Sequence, residues 1–444
     1  MSMTEPPRGT MQRTARLGSL PVGFAGRTAA GWARRLTGAD RAEVAAELAN
    51  RNADQLFAVL GELKGGAMKL GQALSVYEAM IPSELAEPYQ RALTKLQSNA
   101  PAMPASEVHR VLAEQLGRRW PERFAEFDDE RPFAASIGQV HRAVWHDGRE
   151  VAVKVQYPGA DQALMSDLRQ LRRFARVIQV IVPGADVRGL LQELMDRMSE
   201  ELDYRLEADH QRAFAAALAD DEQVRVPRVL ASAPKVIVSE WLEGTPLSEF
   251  VHRRAADAAE QRVRDRVGRQ VIELSFSSPA RVGLLHADPH PGNYRVLGDG
   301  RLGVLDFGAV SRLPDGIPRP LGRLLRLAAD QRGEELLELL HAEGFVGMAD
   351  RVTPEDVLHY IGGLGNPVRE DEFHYHRAFM QAEGGRVIDF AGADFRTGRA
   401  MSLPPQYLML LRVVAGWMNI LSQIDCTVRS REIVTHWVPG FADA

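Results

Sequence analysis

The spacing of apolar residues changes several times along this chain. In "DRAEVAAELANRNADQLFAVLGELKGGAMKLGQALSVYEAMI" (40–81) they recur at helical spacing, interrupted by Gly65-Gly66. "PSELAEPYQRALTKLQ" opens with Pro82 and Ser83, a helix-start signal, and a further helix is expected over roughly 105–117. From 126 the texture turns to alternating and β-branched runs. "FAEFDDERPFAASIGQVHRAVWHDGREVAVKVQYPG" carries "HDG" between two such runs, a hairpin signal. Residues 161–182 and 186–219 return to helical spacing. "KVIVSEWLEGTPL" (235–247) reads as a buried strand followed by a turn, and the remainder as helix apart from a hairpin within 286–308. This pattern predicts an α+β protein of two lobes. A small antiparallel-sheet N-lobe with helical insertions (126–243) precedes a helical C-lobe (244–444). A helical extension (40–125) and a basic flexible arm (1–39) stand in front of both.

Composition narrows the functional classes. The 444 residues are 45% apolar and 25% charged, with a net charge of -5, the balance of an ordinary soluble globular protein. That charge argues against a nucleic-acid footprint over the whole chain. The single cysteine, Cys426, excludes an internal disulfide framework and a Cys-rich zinc site. No stretch reaches the ~18 uncharged apolar residues of a membrane span. The best candidates, 173–184 and 408–424, read as core helices. No secretory signal is apparent, and the expected location is cytoplasmic. The arm carries Arg8, Arg13, Arg16, Arg27, Arg34 and Arg35 with no acid after Glu5. It reads either as a solvated tail or as a contact for a membrane surface or partner, making the protein peripheral at the membrane.

Lysine is scarce: Lys64, Lys69, Lys95, Lys154 and Lys235 are five among 54 basic residues. A lysine that stands in so arginine-rich a chain hints that a compact, rotatable ammonium is wanted there. Lys154 ends the strand-like "VAVK". Further on, "HADPHPGN" spaces His286, Asp288 and Asn293, and "LDFG" places Asp306 after an apolar strand. In this order the three pieces are the protein-kinase set. The chemistry needs each of them. Lys154 supplies charge to the α- and β-phosphates of ATP, Asn293 and Asp306 offer oxygen ligands to Mg²⁺, and Asp288 orients a hydroxyl or water and takes its proton. The loop that would cover the nucleotide is not glycine-rich: "PFAASIGQVHRA" offers Ala134, Ala135 and Ser136. Alanines permit close approach to phosphates but stiffen the loop relative to glycine. No A-P-E segment follows "LDFG", so the platform for a protein substrate is missing. A competing reading takes His286, Asp288 and His290 as metal ligands of a hydrolase, on a strand that Pro289 and Pro291 would break.

The blocks "KLGQALS", "AASIGQVH", "VAVKVQYPG", "EELDYRLEA" and "HADPHPGN" resemble the UbiB (aarF-related) family of atypical kinases over roughly residues 55–425. The resemblance implies a bilobal protein-kinase-like fold with a helical N-terminal extension. It also implies ATP binding or hydrolysis in support of isoprenoid-quinone or other lipid metabolism, often at membranes, with a lipid or quinone-type ligand. The family's K-x-G-Q element falls on Lys69, Gly71 and Gln72 and is implied to pack over the active site. The E-x-D element falls on Glu201 and Asp203, implied partners of Lys69. Glu207 matches the helix glutamate that pairs with the strand lysine, here Lys154. Asp203 and Glu207, four apart, would share a helix face. By analogy with kinase hinges, backbone groups near Glu240 and Leu242 in "SEWLEG" should read the adenine edge. Phe133 departs from the family, in which three small residues precede the loop serine. Two readings follow from these features: a Mg²⁺-dependent ATPase or small-molecule or lipid kinase, and a nucleotide-gated adaptor for lipid or protein partners.

Overall fold

The computed structural model describes residues 102–135, 137–159, 202–347, 352–388, 397, 401 and 404–443. Expectations for 1–101, including the extension with Lys69, Gly71 and Gln72, lie outside these residues. So do those for 161–182, Ser136 and Glu201. The chain divides into two compact units. The first holds the described residues up to Tyr204 with Ser232–Val238, and the second holds Arg205–Ala231 and everything from Ser239 on.

In the first unit, helix α1 (Ala105–Leu116) buries Val108, Val111 and Leu112, spaced to line one face. A six-stranded sheet follows. Its order is β1 (Phe124–Phe127), β3 (Gly138–Trp145), β4 (Glu150–Gln156), β7 (Val236–Glu240) and β6 (Val229–Ala233), with β2 (Phe133–Ala135) pairing β3 off this path. The pairings of β3 with β1, β2 and β4 are antiparallel. Alternation does the sorting. Val151, Val153 and Val155 are fully buried on one face of β4, which sends Lys154 to the other. The expected hairpin turns at Asp147-Gly148, where Gly148 adopts φ +89° and the Gly148 N–H donates to the Trp145 carbonyl at 2.9 Å. Gly138 is required for packing: a methyl there would drive into the Val155 carbonyl of the neighbouring strand.

A buried polar chain anchors the start of the unit. The Met103 N–H donates to Gln139 Oε1 at 2.7 Å, and Gln139 Nε2 lies 2.8 Å from His141 Nε2. His141 Nδ1 lies 2.7 Å from the Asp128 carbonyl. A carbonyl only accepts, so His141 carries its proton on Nδ1 and accepts from Gln139 on Nε2. Gln139 and His141 are 1% and 0% exposed, and each buried polar group finds its partner.

The second unit opens with α2 (Tyr204–Ala217), most of which lies within it. Its centre is α4 (Ala258–Val282), started by Asp257 accepting from the Ala259 and Glu260 amides and ended by Gly283 at φ +74°. Between them lie β5 (Val224–Arg225), β8 (Gly244–Pro246) and the single-turn α3 (Leu247–Phe250). After α4 come β9 (Leu284–His286), β10 (Tyr294–Leu297), β11 (Leu302–Val304) and β12 (Val310–Arg312). Helices α5 (Arg319–Ala329), α6 (Gly333–Ala342), α7 (Pro354–Gly365) and α8 (Arg377–Ile388) continue the unit, and α9 (Pro405–Ile424) and α10 (Ser430–Trp437) close it. The 408–424 segment is a core helix, as its pattern predicts: Val413, Ile420, Leu421 and Ile424 are fully buried, and Trp417 meets Phe276 of α4 edge-on at 4.5 Å. Buried Arg264 of α4 donates to the Ile424 carbonyl at the α9 C-terminus.

Two expectations need correction. The half beyond residue 244 is not helical apart from one hairpin, because β13 (Phe373–Tyr375) pairs with β14 (Cys426–Val428), and β12 pairs with β9. These strands are three residues long and their partners distant, so no local alternation marks them. The helix expected over 186–219 starts, in its described part, at Tyr204. Asp203 stands ahead of it, so Asp203 and Glu207 do not share a helix face.

Candidate active site

Register turns sequence spacing into neighbours. Strands β10 and β11 pair antiparallel with Tyr294 opposite Val304, so Asn293 and Leu305 meet at the open end, where the Leu305 N–H donates to the Asn293 carbonyl at 2.9 Å. Asp306 is the next residue. On the other side, β9 pairs with β12 with His286 opposite Val310, and the Ala287 N–H donates to the Ala309 carbonyl at 2.9 Å. The Asp288–Asn293 loop and the Asp306–Gly308 turn are therefore held as one piece.

Within it the polar atoms are assigned by their partners. Asn293, 8% exposed, donates from Nδ2 to both the carbonyl and Oδ2 of Asp288 at 3.0 Å. With the amide nitrogen so committed, the carboxamide turns its oxygen the other way. Asp306 Oδ1 accepts from the Gly308 N–H at 2.9 Å. The loop between them is shaped by the 3₁₀ turn Pro291–Asn293, capped by His290 Nδ1 accepting from the Gly292 N–H. Behind the loop, α9 passes so close at Gly416 that a methyl there would collide with the Pro289 ring.

His286 is structural. It is 2% exposed, and its Nε2 lies 2.7 Å from the Asp306 carbonyl, so Nε2 carries a proton and donates it. Its Nδ1 faces the Tyr294 hydroxyl at 3.4 Å. With both nitrogens engaged, and His290 Nδ1 spent on its cap, the His286–Asp288–His290 metal set is corrected. Among the described residues no three His, Cys, Asp or Glu side chains are placed to hold a metal. Tyr294 is pushed well above the usual phenol range, first by burial and then by the nearby Asp288 charge, so it remains protonated. Phe307 is fully buried, edge-on to His286 at 5.7 Å. Sequence reading missed Tyr294 and Gly416. Tyr294 adjoins Asn293 and could have been weighed, whereas nothing in the sequence ties Gly416 to Pro289.

The other expected residues are placed as follows. In the first unit, Lys154 lies opposite Val140 of β3, its Nζ 5.1 Å from the centre of the Tyr204 ring. Ala134 and Ala135 on β2 pair with Gln139 and Gly138. In the second unit, Glu207 on α2 is 4% exposed. Glu240 ends β7; its N–H donates to the Arg228 carbonyl at 3.0 Å and its carboxylate accepts from the Arg228 N–H at 3.2 Å. Leu242 follows it and is 8% exposed. Asp288, Asn293 and Asp306 are brought together within a single unit. Carboxylate and carboxamide oxygens are the ligand types that a hard cation favours.

Known proteins resemble this chain. A family model for the ABC1 atypical kinase-like domain matches residues 95–340. The mitochondrial atypical kinase coq-8 of Caenorhabditis elegans is 32% identical over 318 residues, covering 70% of this chain and 41% of that protein. The mitochondrial atypical kinase COQ8B of Danio rerio is 31% identical over 415 residues, covering 90% and 62%. The chain thus spans less than two thirds of the length of these relatives. Among solved structures, the complex of Rv3197 with erythromycin from Mycobacterium tuberculosis is 47% identical. It covers 91% of this chain and 100% of that one, with a TM-score of 0.69.

Proposed function

This chain belongs to the ABC1 atypical kinase-like family, and on that premise we propose that it is a Mg²⁺-dependent ATP-using enzyme, an ATPase or a small-molecule or lipid kinase. Its service would be to isoprenoid-quinone (ubiquinone) or other lipid metabolism. Lys154 offers its ammonium to the α- and β-phosphates, with Glu207 as the acid that orients it. Asp288 orients the attacking hydroxyl or water and accepts its proton as the new O–P bond forms. The bond from the γ-phosphorus to the bridging oxygen breaks, and its electron pair leaves with ADP. Asn293 and Asp306 would hold Mg²⁺, which when bound neutralises charge on the β- and γ-phosphates. Ala134, Ala135 and Ser136 would lie over the phosphates, and backbone groups near Glu240 and Leu242 would read the adenine. Lys69, Gln72, Glu201 and Asp203 are assigned to regulation of access.

One observation carries this reading. Asn293 spends its amide nitrogen on Asp288, which leaves its side-chain oxygen for a cation, and its backbone carbonyl accepts from Leu305, the residue before Asp306. The donor set fits Mg²⁺, which favours a carboxylate or two completed by phosphate and water. The test is Mg²⁺-dependent ATP binding by Asp306→Asn. Loss of about 100-fold or more in affinity with Mg²⁺ present is expected, since losing even an outer-shell partner of a metal ligand costs about 10- to 100-fold. Equal nucleotide affinity in variant and parent would sink the assignment.

A second reading has its own support. The relative's complex with erythromycin shows that protein holding a bulky small molecule. In this chain β12 passes within seven residues from Arg312 to α5 at Arg319, without a long segment to seat a peptide. A nucleotide-gated adaptor for lipid or partner proteins would fit both facts. Asp288→Asn separates the two: ATP turnover and cellular function that both survive it favour the adaptor. Among the described residues no helix is long and apolar enough to cross a membrane. A cytoplasmic place of work, with contact to the membrane surface, belongs to the same proposal.

A further inference from the structure

The second unit contains an imidazole that none of the assigned roles uses. His210 lies on α2, three residues after Glu207, and its Nδ1 is 3.3 Å from the carbonyl oxygen of Phe307. A carbonyl only accepts, so Nδ1 carries the proton. Further along the same helix Phe214, 1% exposed, packs on Phe307 with ring centroids 5.0 Å apart. Between them Gln211, 2% exposed, donates from Nε2 to the Pro227 carbonyl at 2.8 Å, pinning the helix on its other side.

What the His210 bond touches matters more than its strength. The carbonyl of Phe307 and the N–H of Gly308 belong to one peptide group, which is planar and stiff, so its two ends turn together. The N–H end is the donor that grips Asp306 Oδ1 at 2.9 Å. Rotating that plane by half a turn would cost only soft dihedrals on either side, and glycine at 308 opposes it least of all residues. Such a flip would withdraw this donor from the carboxylate and weaken its hold. The preceding carbonyl, that of Asp306, is already held by His286. The His210 bond does the same for the 307–308 plane.

We propose that His210 is a positioning residue for the metal-binding carboxylate: by holding the Phe307 carbonyl it fixes the 307–308 peptide plane, and through the Gly308 N–H it fixes Asp306. The same bond ties the helix of Glu207 to the turn of Asp306, so two groups assigned to the nucleotide share one mount. This inference rests on the reading of Asp306 as a Mg²⁺ ligand.

The test is the Mg²⁺ concentration giving half-maximal binding of a fluorescent ATP analogue to the full chain, measured beside the thermal midpoint without ligand. His210→Leu removes the donor and should raise that concentration about fivefold, the scale of one neutral hydrogen bond. His210→Asn places an amide nitrogen where Nδ1 was and should return it to within about twofold of the parent. His210→Gln places its nitrogen at the Nε2 position and should not. An unshifted Leu variant, or Asn and Gln variants that behave alike, overturns the proposal. Should the Leu variant fail to fold, the Asn–Gln comparison decides by itself. Asp306→Asn is the control. If it leaves Mg²⁺-dependent binding intact, the assignment of the site falls and this inference with it. If it abolishes binding while the His210 series is silent, this inference alone falls.

Discussion

The β2–β3 hairpin and the His286–Gly308 segment are both short, and both carry groups assigned to ATP, yet water meets them differently. Phe133 at the start of β2 is 50% exposed and Ala134 beside it is exposed, whereas Phe307 is fully buried and His286 nearly so. Strand β2 is held to β3 by its backbone ladder. In the other segment a His286 nitrogen holds the Asp306 carbonyl, a backbone amide holds Asp306 Oδ1, and Asn293 clamps Asp288. The difference teaches where precision is kept. The metal ligand proposed at Asp306 would have to stand within a fraction of an ångström before substrate arrives, and a packed floor suits that demand. A loop proposed to lie over phosphates needs only close approach and can adjust at the surface.

Four substitutions test this contrast. The largest effect is expected from Asp288→Asn, which should lower ATP turnover about 10³-fold, the range for a lost general base. The thermal midpoint should barely move, because a carboxamide oxygen can still accept from Asn293. Turnover that persists would show that the rigid segment is not the chemical centre. Next, His286→Ala should cost about 3 kcal/mol of unfolding free energy, since it strands the Asp306 carbonyl and opens a ring-sized void against Phe307. Urea denaturation reads this, and a cost below about 1 kcal/mol would mean the segment is not held by its imidazole. Gly138→Ala should cost about 2 kcal/mol through the clash with the Val155 carbonyl. Because Gly138 pairs with Ala135, ATP affinity should fall with it; a variant as stable as the parent would show the hairpin to be looser than drawn. The smallest effect is expected from Ala134→Gly, a two- to threefold gain in ATP affinity by calorimetry, at a stability cost of about 0.5 kcal/mol. Unchanged affinity would remove stiffness as the property that the alanines confer.

Much of this was legible in the residues. The five-residue step from Asp288 to Asn293 anticipated their contact, and hairpin register sets Asp306 one residue beyond Leu305, which bonds Asn293. The Asp147-Gly148 turn and the helix over 408–424 followed from glycine's tolerance of positive φ and from helical periodicity. What escaped depended on partners far along the chain. Strand β13 finds β14 some fifty residues later, and three-residue strands have no period to read. His210 meets Phe307 across 97 residues, and a lone histidine on a polar helix announces nothing. Asp203 was misjudged because its spacing from Glu207 suits a helix that begins only at Tyr204.

The near-contact of Gly416 with Pro289 has a consequence for how this molecule can vary. Pro289 is the residue directly behind Asp288, so the thickness of α9 at one point sets how far forward the carboxylate can stand. A single added methyl would act as a shim, tilting the loop without changing any charge or donor near it. The reach of Asp288 is thereby calibrated from a helix distant in sequence, by bulk alone.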